Sequence, residues 1–474
     1  MERCRLAAGT GQELVMETVI ANTTIVTGDA GRTILYDSAI AIRDNVIAAM
    51  GATEQVIGDF PDAEVIDGRG KAVLPGLVNC HTHLLATADR GILEDFGFPT
   101  TLRFPVTTRS LLSTEERQVI ATLGALEAIR SGTTTILEIA DNVGGFAQTL
   151  ADTGMRLVLG DNINDVDPVK LRDGVYEFDA GRRGDGLRRS GDLADRWHGI
   201  DGGRVTCFLA PHAPETCSPE LLRGVREMAD ARGLGYTIHL SQSRIEIEAV
   251  MRTRGVEPTH YLFASDFLGP RLVAAHCRYV NASEIALLGR AGVGVSNNAA
   301  IAARRGAAAP VRELQAAGCT IGMGSDNMAE DMVEVMRAGL FHERVRRNDE
   351  MYPQPEDALE WATSGGAKTL GMDDQVGTLE AGKLADLFVV DTFKAHLVPT
   401  LRLVSAFVHN GQPADITSVM ANGKWLMRDG KVVTIDEEDI LRRAEGIGHS
   451  VWNRLVEAYP DVQFPVRLPP HPLN

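Results

Sequence analysis

The sequence predicts an α/β chain, a (β/α)8 barrel carrying a small β-sandwich domain assembled from its N- and C-terminal segments. Three observations carry this expectation. Eight strand-like apolar runs alternate with helical patterns in the middle of the chain. Short alternating strands separated by Gly and Asp turns precede them, and strands of the same style return near the end.

Taken in order, residues 1–16 show no strand or helix pattern and are expected to form a disordered leader. Residues 17–71 hold "TVIANTTIV", "SAIAIRDNVIAAMG" and "AEVIDGRGKAV", and residues 375–435 hold "GKLADLFVVD" and "SVMANGKWLMRDGKVVTID", where "NGK" and "DGK" supply hairpin turns. The two ends are therefore expected to share one β-domain, with residues 72–374 inserted as the barrel.

The barrel's eight runs are "AVLPGLVNC", "TTTILE", "MRLVLGD", "RVTCFLAP", "GYTIHL", "RLVAAH", "GVGVS" and "TIGMGSD". Between them, "STEERQVIATLGALEAIRSG" opens with Ser113 and Glu116 at capping-box spacing. "SPELLRGVREMADARG" has Ser218 as N-cap, Pro219 in the first turn and Gly233 as stop. An open doubly wound sheet is the rival, but no GxGxxG follows the first strand. Residues 436–474 are expected to form a C-terminal helix and tail.

Composition narrows the function. A net charge of −17 with no Lys/Arg cluster argues against nucleic acid and anionic membrane surfaces. The six cysteines lack CxxC spacing, which fits neither a disulfide framework nor a thiolate zinc site and suits a reducing, cytoplasmic location. Nowhere do eighteen apolar residues run together, so no membrane span is expected.

In a barrel of this kind, chemistry gathers where strands end. His81 and His83 close the first run, His212 follows the fourth, His239 ends the fifth, His276 closes the sixth and Asp326 the eighth. Residues i and i+2 of a strand face the same way, so His81 and His83 can turn toward one ion. Imidazoles and a carboxylate suit Zn2+ or Fe2+, with one position left for water. Any one histidine is read as well as a hydrogen-bonded core residue; the set together points to a metal.

The segments "VLPGLVNCHTH", "SGTTTI", "APHAPETCS", "IHLSQS", "AAHC", "GMGSDN" and "GTLEAGKLADLFVVD" resemble the amidohydrolase superfamily, in the branch holding cytosine and guanine deaminases and triazine herbicide hydrolases. The resemblance implies that His81, His83, His239 and Asp326 hold a single divalent ion. It also implies that His276 positions or polarises the attacking water and that His212 lies near the substrate. No lysine ends the fourth strand to carry a bridging carbamate, so one metal is expected rather than two.

Two departures from the family pattern bear on the reaction. Deaminases of this branch usually carry a proton-shuttling Glu three residues after the fifth-strand histidine, where this chain has Gln242, an amide that does not titrate. Glu246 is the candidate substitute, against its plainer reading as a solvated helix carboxylate. After the seventh strand, Arg304 and Arg305 offer an anion site or simple surface charge, and Asn297 and Asn298 a substrate contact or a turn. The loop after His83 is rich in Leu84, Leu85, Phe96, Phe98 and Phe104, which would give an apolar pocket mouth or ordinary packing.

The expected activity is hydrolysis of a urea-, carbamate- or amide-like carbon–nitrogen bond in a small, fairly apolar compound. Cation-activated water would give a proton to Asp326, and His276 would steady the oxyanion. Deamination or dechlorination of an aminated heterocycle is the alternative, and a non-catalytic binding module the alternative of another class. By analogy with similar acidic barrels, a homo-oligomer is expected.

Overall fold

The computed structural model describes residues 17–96 and 106–464. The expected leader (1–16), the side chain of Phe96, and Phe98, Phe104 and residues 465–474 lie outside the described residues.

Eight parallel strands close into a barrel: β6 (Leu77–His83), β7 (Thr133–Ala140), β8 (Arg156–Ile163), β9 (Val205–Pro211), β10 (Gly235–Leu240), β11 (Leu272–His276), β12 (Gly294–Asn297) and β13 (Thr320–Met323). Closure is made by β13 against β6, with Met323 opposite Asn79. Successive side chains leave a strand on opposite faces. Ile136, Leu157, Leu209 and Ile238 join the core shared with the surrounding helices, while their neighbours in sequence, Leu137, Val158 and Phe208, form a second cluster with Val78 and Val273. The predicted caps are present: Ser113 and Glu116 close a capping box at the helix Thr114–Arg130, and Ser218 caps Pro219–Arg232, which Gly233 ends in a left-handed turn.

The chain ends build a nine-stranded sheet. Its N-terminal strands are β1 (Glu17–Val26), β2 (Ile34–Arg43), β3 (Val46–Ala52), β4 (Glu64–Asp67) and β5 (Lys71–Pro75). Its C-terminal strands are β15 (Leu387–Asp391), β16 (Ile416–Ala421), β17 (Lys424–Arg428) and β18 (Lys431–Val432). They run in the order β18-β17-β16-β15-β5-β1-β2-β3, with β4 beside β1, so the two ends meet where β5 pairs with β15. Asn422 and Gly423, then Asp429 and Gly430, all take positive φ, the geometry of the two-residue hairpin turns that "NGK" and "DGK" predict.

One predicted strand is two. The run "AVLPGLVNC" breaks at Gly76: β5 belongs to the terminal sheet and β6 to the barrel. A side chain at Gly76 would put a Cβ 2.2 Å from Thr134 Oγ1, so the crossing between sheets requires glycine. Likewise "TIGMGSD" divides into β13 and a two-residue strand β14 (Asp326–Asn327), which pairs with the end of β6.

The C-terminal helix Glu437–Ala458 lies against Thr114–Arg130, where Arg454 pairs with Glu116, and against the helical turn Leu84–Asp89, where Trp452 Nε1 donates to the Ala88 carbonyl at 2.9 Å. No helix among the described residues is long and apolar enough to cross a membrane.

Candidate metal centre and active site

The strand ends deliver the polar residues to one place. β6 carries His81 and His83, β10 His239, β11 His276 and β14 Asp326, which stands beside Thr82 in the parallel pairing. Ser241, His276 and Asp326 have φ of 48°, 81° and 73°, conformations that side chains other than glycine rarely adopt. Strain of this kind persists only where surrounding structure fixes it. Gly324 shows how closely the strand ends approach: a Cβ there would lie 2.5 Å from Asn298 Oδ1, 2.6 Å from Ser296 Oγ and 2.8 Å from the His81 carbonyl. Gly324→Ala should therefore destabilise the fold by about 1–3 kcal/mol and lower metal content, read by thermal melting and elemental analysis.

The distances suit a small cation. His81 Nε2 lies 3.7 Å and His83 Nε2 3.8 Å from Asp326 Oδ1, and His83 Nε2 is 3.1 Å from His239 Nε2. Ligands about 2.1 Å from a tetrahedral ion stand roughly 3.4 Å from one another.

Proton placement gives a sharper test. His83 Nδ1 donates to the Ile139 carbonyl at 2.7 Å, and His239 Nδ1 to the His212 carbonyl at 2.6 Å. Each neutral ring therefore carries its proton on Nδ1, and two Nε2 lone pairs face each other across 3.1 Å. Both ring nitrogens of buried His81 lack a protein partner. Facing lone pairs and orphaned buried nitrogens are costly unless a cation fills the space between them. The residues fit a divalent ion.

His276 is built differently. Its Nδ1 accepts from Arg278 Nη2 at 3.0 Å and from Asn298 Nδ2 at 3.1 Å, so the proton sits on Nε2, which is buried with no protein partner. Among these rings, His276 offers a donor rather than a ligand atom.

Burial pushes the imidazoles of His81, His83 and His276 well below the usual histidine range, with neighbouring rings reinforcing the effect, together with Arg278 at His81 and His276 and Arg109 at His83. His239 is lowered by burial too, with the Asp326 charge opposing. Burial raises the Asp326 carboxyl, and Arg278, whose Nη2 is 3.6 Å from Oδ2, pulls it back. Neutral rings around one acid are the protonation state that metal binding needs.

A cavity opens onto this cluster, lined by His83, His212, His239, Gln242, Asp326 and Glu215 among others. His212 Nδ1 contacts Thr216 Oγ1 at 2.9 Å, and burial drives its pKa down to about 3. Leu85 reaches the cavity wall, while Leu84 is packed in the core.

Several expectations need correction. Glu246 is not a solvated helix carboxylate: it is 2 % exposed, and its two oxygens accept the backbone N–H groups of Ser241 and Gln242, each at 2.7 Å. Ser243 caps the helix Arg244–Arg254 and turns Glu246 back onto the loop after His239. Asn297 is buried, with its Nδ2 3.7 Å from where a Cβ on Gly339 of the helix Met332–Arg347 would stand, and it is not among the residues lining the cavity. Asn298, the next residue, donates to His276. Arg304 pairs with Glu334 at the surface, whereas Arg305 is partly withdrawn and feels the Asp326 charge.

Residue-level reading missed Arg278 and Glu215. Each follows a predicted site histidine by two or three positions, within "HCRYV" and "PHAPETC", but nothing in their spacing announces that they are turned inward.

A model of the amidohydrolase family matches residues 72–426. The chain belongs to the amidohydrolase family. This amidohydrolase is a hydrolase of carbon–nitrogen bonds other than peptide bonds, which sets aside the non-catalytic binding module. It is 33% identical over 418 residues to a 5-methylthioadenosine/S-adenosylhomocysteine deaminase of Desulforudis audaxviator, covering 86% of this chain and 94% of that one. An adenosine deaminase from Xanthomonas campestris, solved with bound zinc, superposes with a TM-score of 0.84 at 25% identity, over 92% of this chain and 99% of the other. The atrazine chlorohydrolase of Arthrobacter aurescens, solved with zinc, shares the fold at a TM-score of 0.80 and 23% identity, over 91% of this chain and all of that one.

Proposed function

We propose that this amidohydrolase deaminates an aminated purine, carried on a nucleoside-like substrate, with one Zn2+ or Fe2+ ion per chain. This reverses the order expected from the residues alone, in which urea- or carbamate-like bonds came first. The resemblance to relatives named as adenosine-type deaminases over most of the chain supports the change. The observation that carries the hydrolytic chemistry is the convergence of the unprotonated Nε2 atoms of His83 and His239, 3.1 Å apart, beside Asp326.

When bound, the ion supplies a Lewis acid that makes water nucleophilic near neutral pH. His81, His83, His239 and Asp326 would hold it. Asp326, raised by its burial, takes a proton from the attacking water. His276 Nε2–H donates to the oxygen as negative charge gathers there, its direction fixed by Arg278 and Asn298 on Nδ1. The Gln242 amide, at the cavity wall, offers one donor and one acceptor edge, matching a ring nitrogen beside an amino group.

Gln242 also favours a second reading, hydrolysis of a urea or carbamate, whose carbonyl that amide would hold. A panel of adenosine-type nucleosides, aminotriazines, phenylureas and carbamates, read for ammonia, amine and chloride, separates the two. Ammonia from a purine at the highest kcat/KM is expected; amine release from a urea with no purine turnover would overturn the proposal.

A further inference from the structure

Gln242 leaves the reaction without the usual titrating group beside the fifth-strand histidine, yet the wall of the same cavity carries Glu215 and Glu246, besides Asp141 and Asp326. Glu215 lies in the short helical turn Pro214–Thr216 after β9, and Glu246 in the first turn of Arg244–Arg254 after β10. Both line the cavity that reaches His239 and Asp326. Glu246 spends both oxygens on backbone N–H groups, and Glu215 Oε2 is buried without a protein partner.

We propose that Glu215, backed by Glu246, is the acid that protonates the departing nitrogen, replacing the glutamate lost at position 242; the proposal rests on the deaminase reading above. Burial pushes both carboxyls up, Glu215 to about 7, and the charge of Glu215 raises Glu246 further. Two acids in such proximity cannot both ionise readily, and the pair keeps one proton near neutral pH. Burial holds Glu246 well above the ordinary carboxylate range, but its two oxygens are taken by backbone N–H groups, so the oxygen left open to carry the pair's proton toward substrate is Glu215 Oε2. The titratable and charged groups facing the pair are His212, Tyr176 and Cys217 beside Glu215 and Arg278 and Cys277 beside Glu246, with Arg252 stacked beyond the Tyr176 ring.

The step balances without another reactant. Water adds through oxygen to the ring carbon, and Asp326 relays the water's first proton to the adjacent ring nitrogen. Glu215 gives its proton to the amino nitrogen. The carbon–nitrogen bond then breaks with its electron pair on ammonia. The second hydroxyl proton of the adduct returns to the Glu215 carboxylate as the carbonyl forms.

The test compares adenosine with 6-chloropurine ribonucleoside, whose chloride departs without a proton. Glu215→Gln should lower kcat for ammonia release by about 100-fold while leaving chloride release unchanged, and should abolish the fall in wild-type deamination as pH rises through about 7. Infrared difference spectra of the purified protein should show a protonated carboxyl band that titrates near pH 7 and is missing in Glu215→Gln. Equal loss on both substrates, unchanged ammonia release, or a band unaffected by the substitution would overturn the proposal. A metal-loaded wild type that releases chloride but no ammonia from any purine would overturn the deaminase reading, and this one with it.

Discussion

Asp326→Asn should fold normally, lose most of its bound metal and reduce turnover by about 10³- to 10⁴-fold, checked by elemental analysis and product release. Asparagine keeps the shape of aspartate, so the distorted backbone at φ 73° and the pairing of β14 with β6 need not change. What changes is charge. Asp326 Oδ1 lies within 3.8 Å of the neutral imidazoles of His81 and His83, with the Arg278 guanidinium 3.6 Å from Oδ2. Without the carboxylate, a divalent ion would meet Arg278 unopposed and lose one of its four ligands. The proton acceptor for water disappears with it, because an amide does not titrate. Metal saturation that restores occupancy but not turnover would assign the larger share of the loss to proton transfer. A variant with full metal and full turnover would remove Asp326 from the centre.

The site could be read from the sequence wherever one rule governed several residues. His81, His83, His239, His276 and Asp326 each end an apolar run, and a closed parallel barrel sends every such end to one face. The rule fails where one more turn of backbone decides direction. Asn297 and Asn298 are adjacent and chemically identical, but only the second reaches His276. Glu246 has the pattern of a solvated first-turn acid, and the fold-back of residues 241–243 buries it. Arg278 and the half-buried Glu215 are single ionisable side chains, and no periodic pattern in their neighbours marks them as belonging to the site.

The fold shows the same division. Hairpin turns at Asn422–Gly423 and Asp429–Gly430 are local chemistry and were legible. The break at Gly76 was not, because β5 and β6 form one apolar run, and periodicity says nothing about which partner a strand will find. The deciding contact is steric and distant in sequence, the Thr134 side chain against a missing Cβ. Choice between ammonia, amine and chloride as leaving group lies deeper still, since Gln242 narrows the proton-transfer options without naming the bond.

The largest effect on stability is expected from Asp386→Ala, a loss of about 3–5 kcal/mol in urea unfolding. Asp386 precedes β15 in the terminal sheet, and Arg156 opens β8 in the barrel. Arg156 Nε and Nη2 meet the two Asp386 oxygens at 3.1 and 3.0 Å, and Oδ1 also accepts the Asn422 N–H at 2.7 Å. Both side chains are at most 2 % exposed, so the pair is a forked contact shielded from water. It sits where the chain crosses between sheets, for the Gly76 N–H donates to the Asp386 carbonyl at 3.0 Å. Removing the acid strands a guanidinium with no water to replace its partner, and that desolvation, rather than the lost attraction, sets the size of the effect. The double change Arg156→Met with Asp386→Asn should therefore recover much of the stability lost by Asp386→Ala alone. Arg156 stands at the end of β8 opposite the site, so turnover of the folded, metal-loaded double variant should match wild type; a selective loss of turnover would show that the sheet and the metal centre are coupled through the barrel.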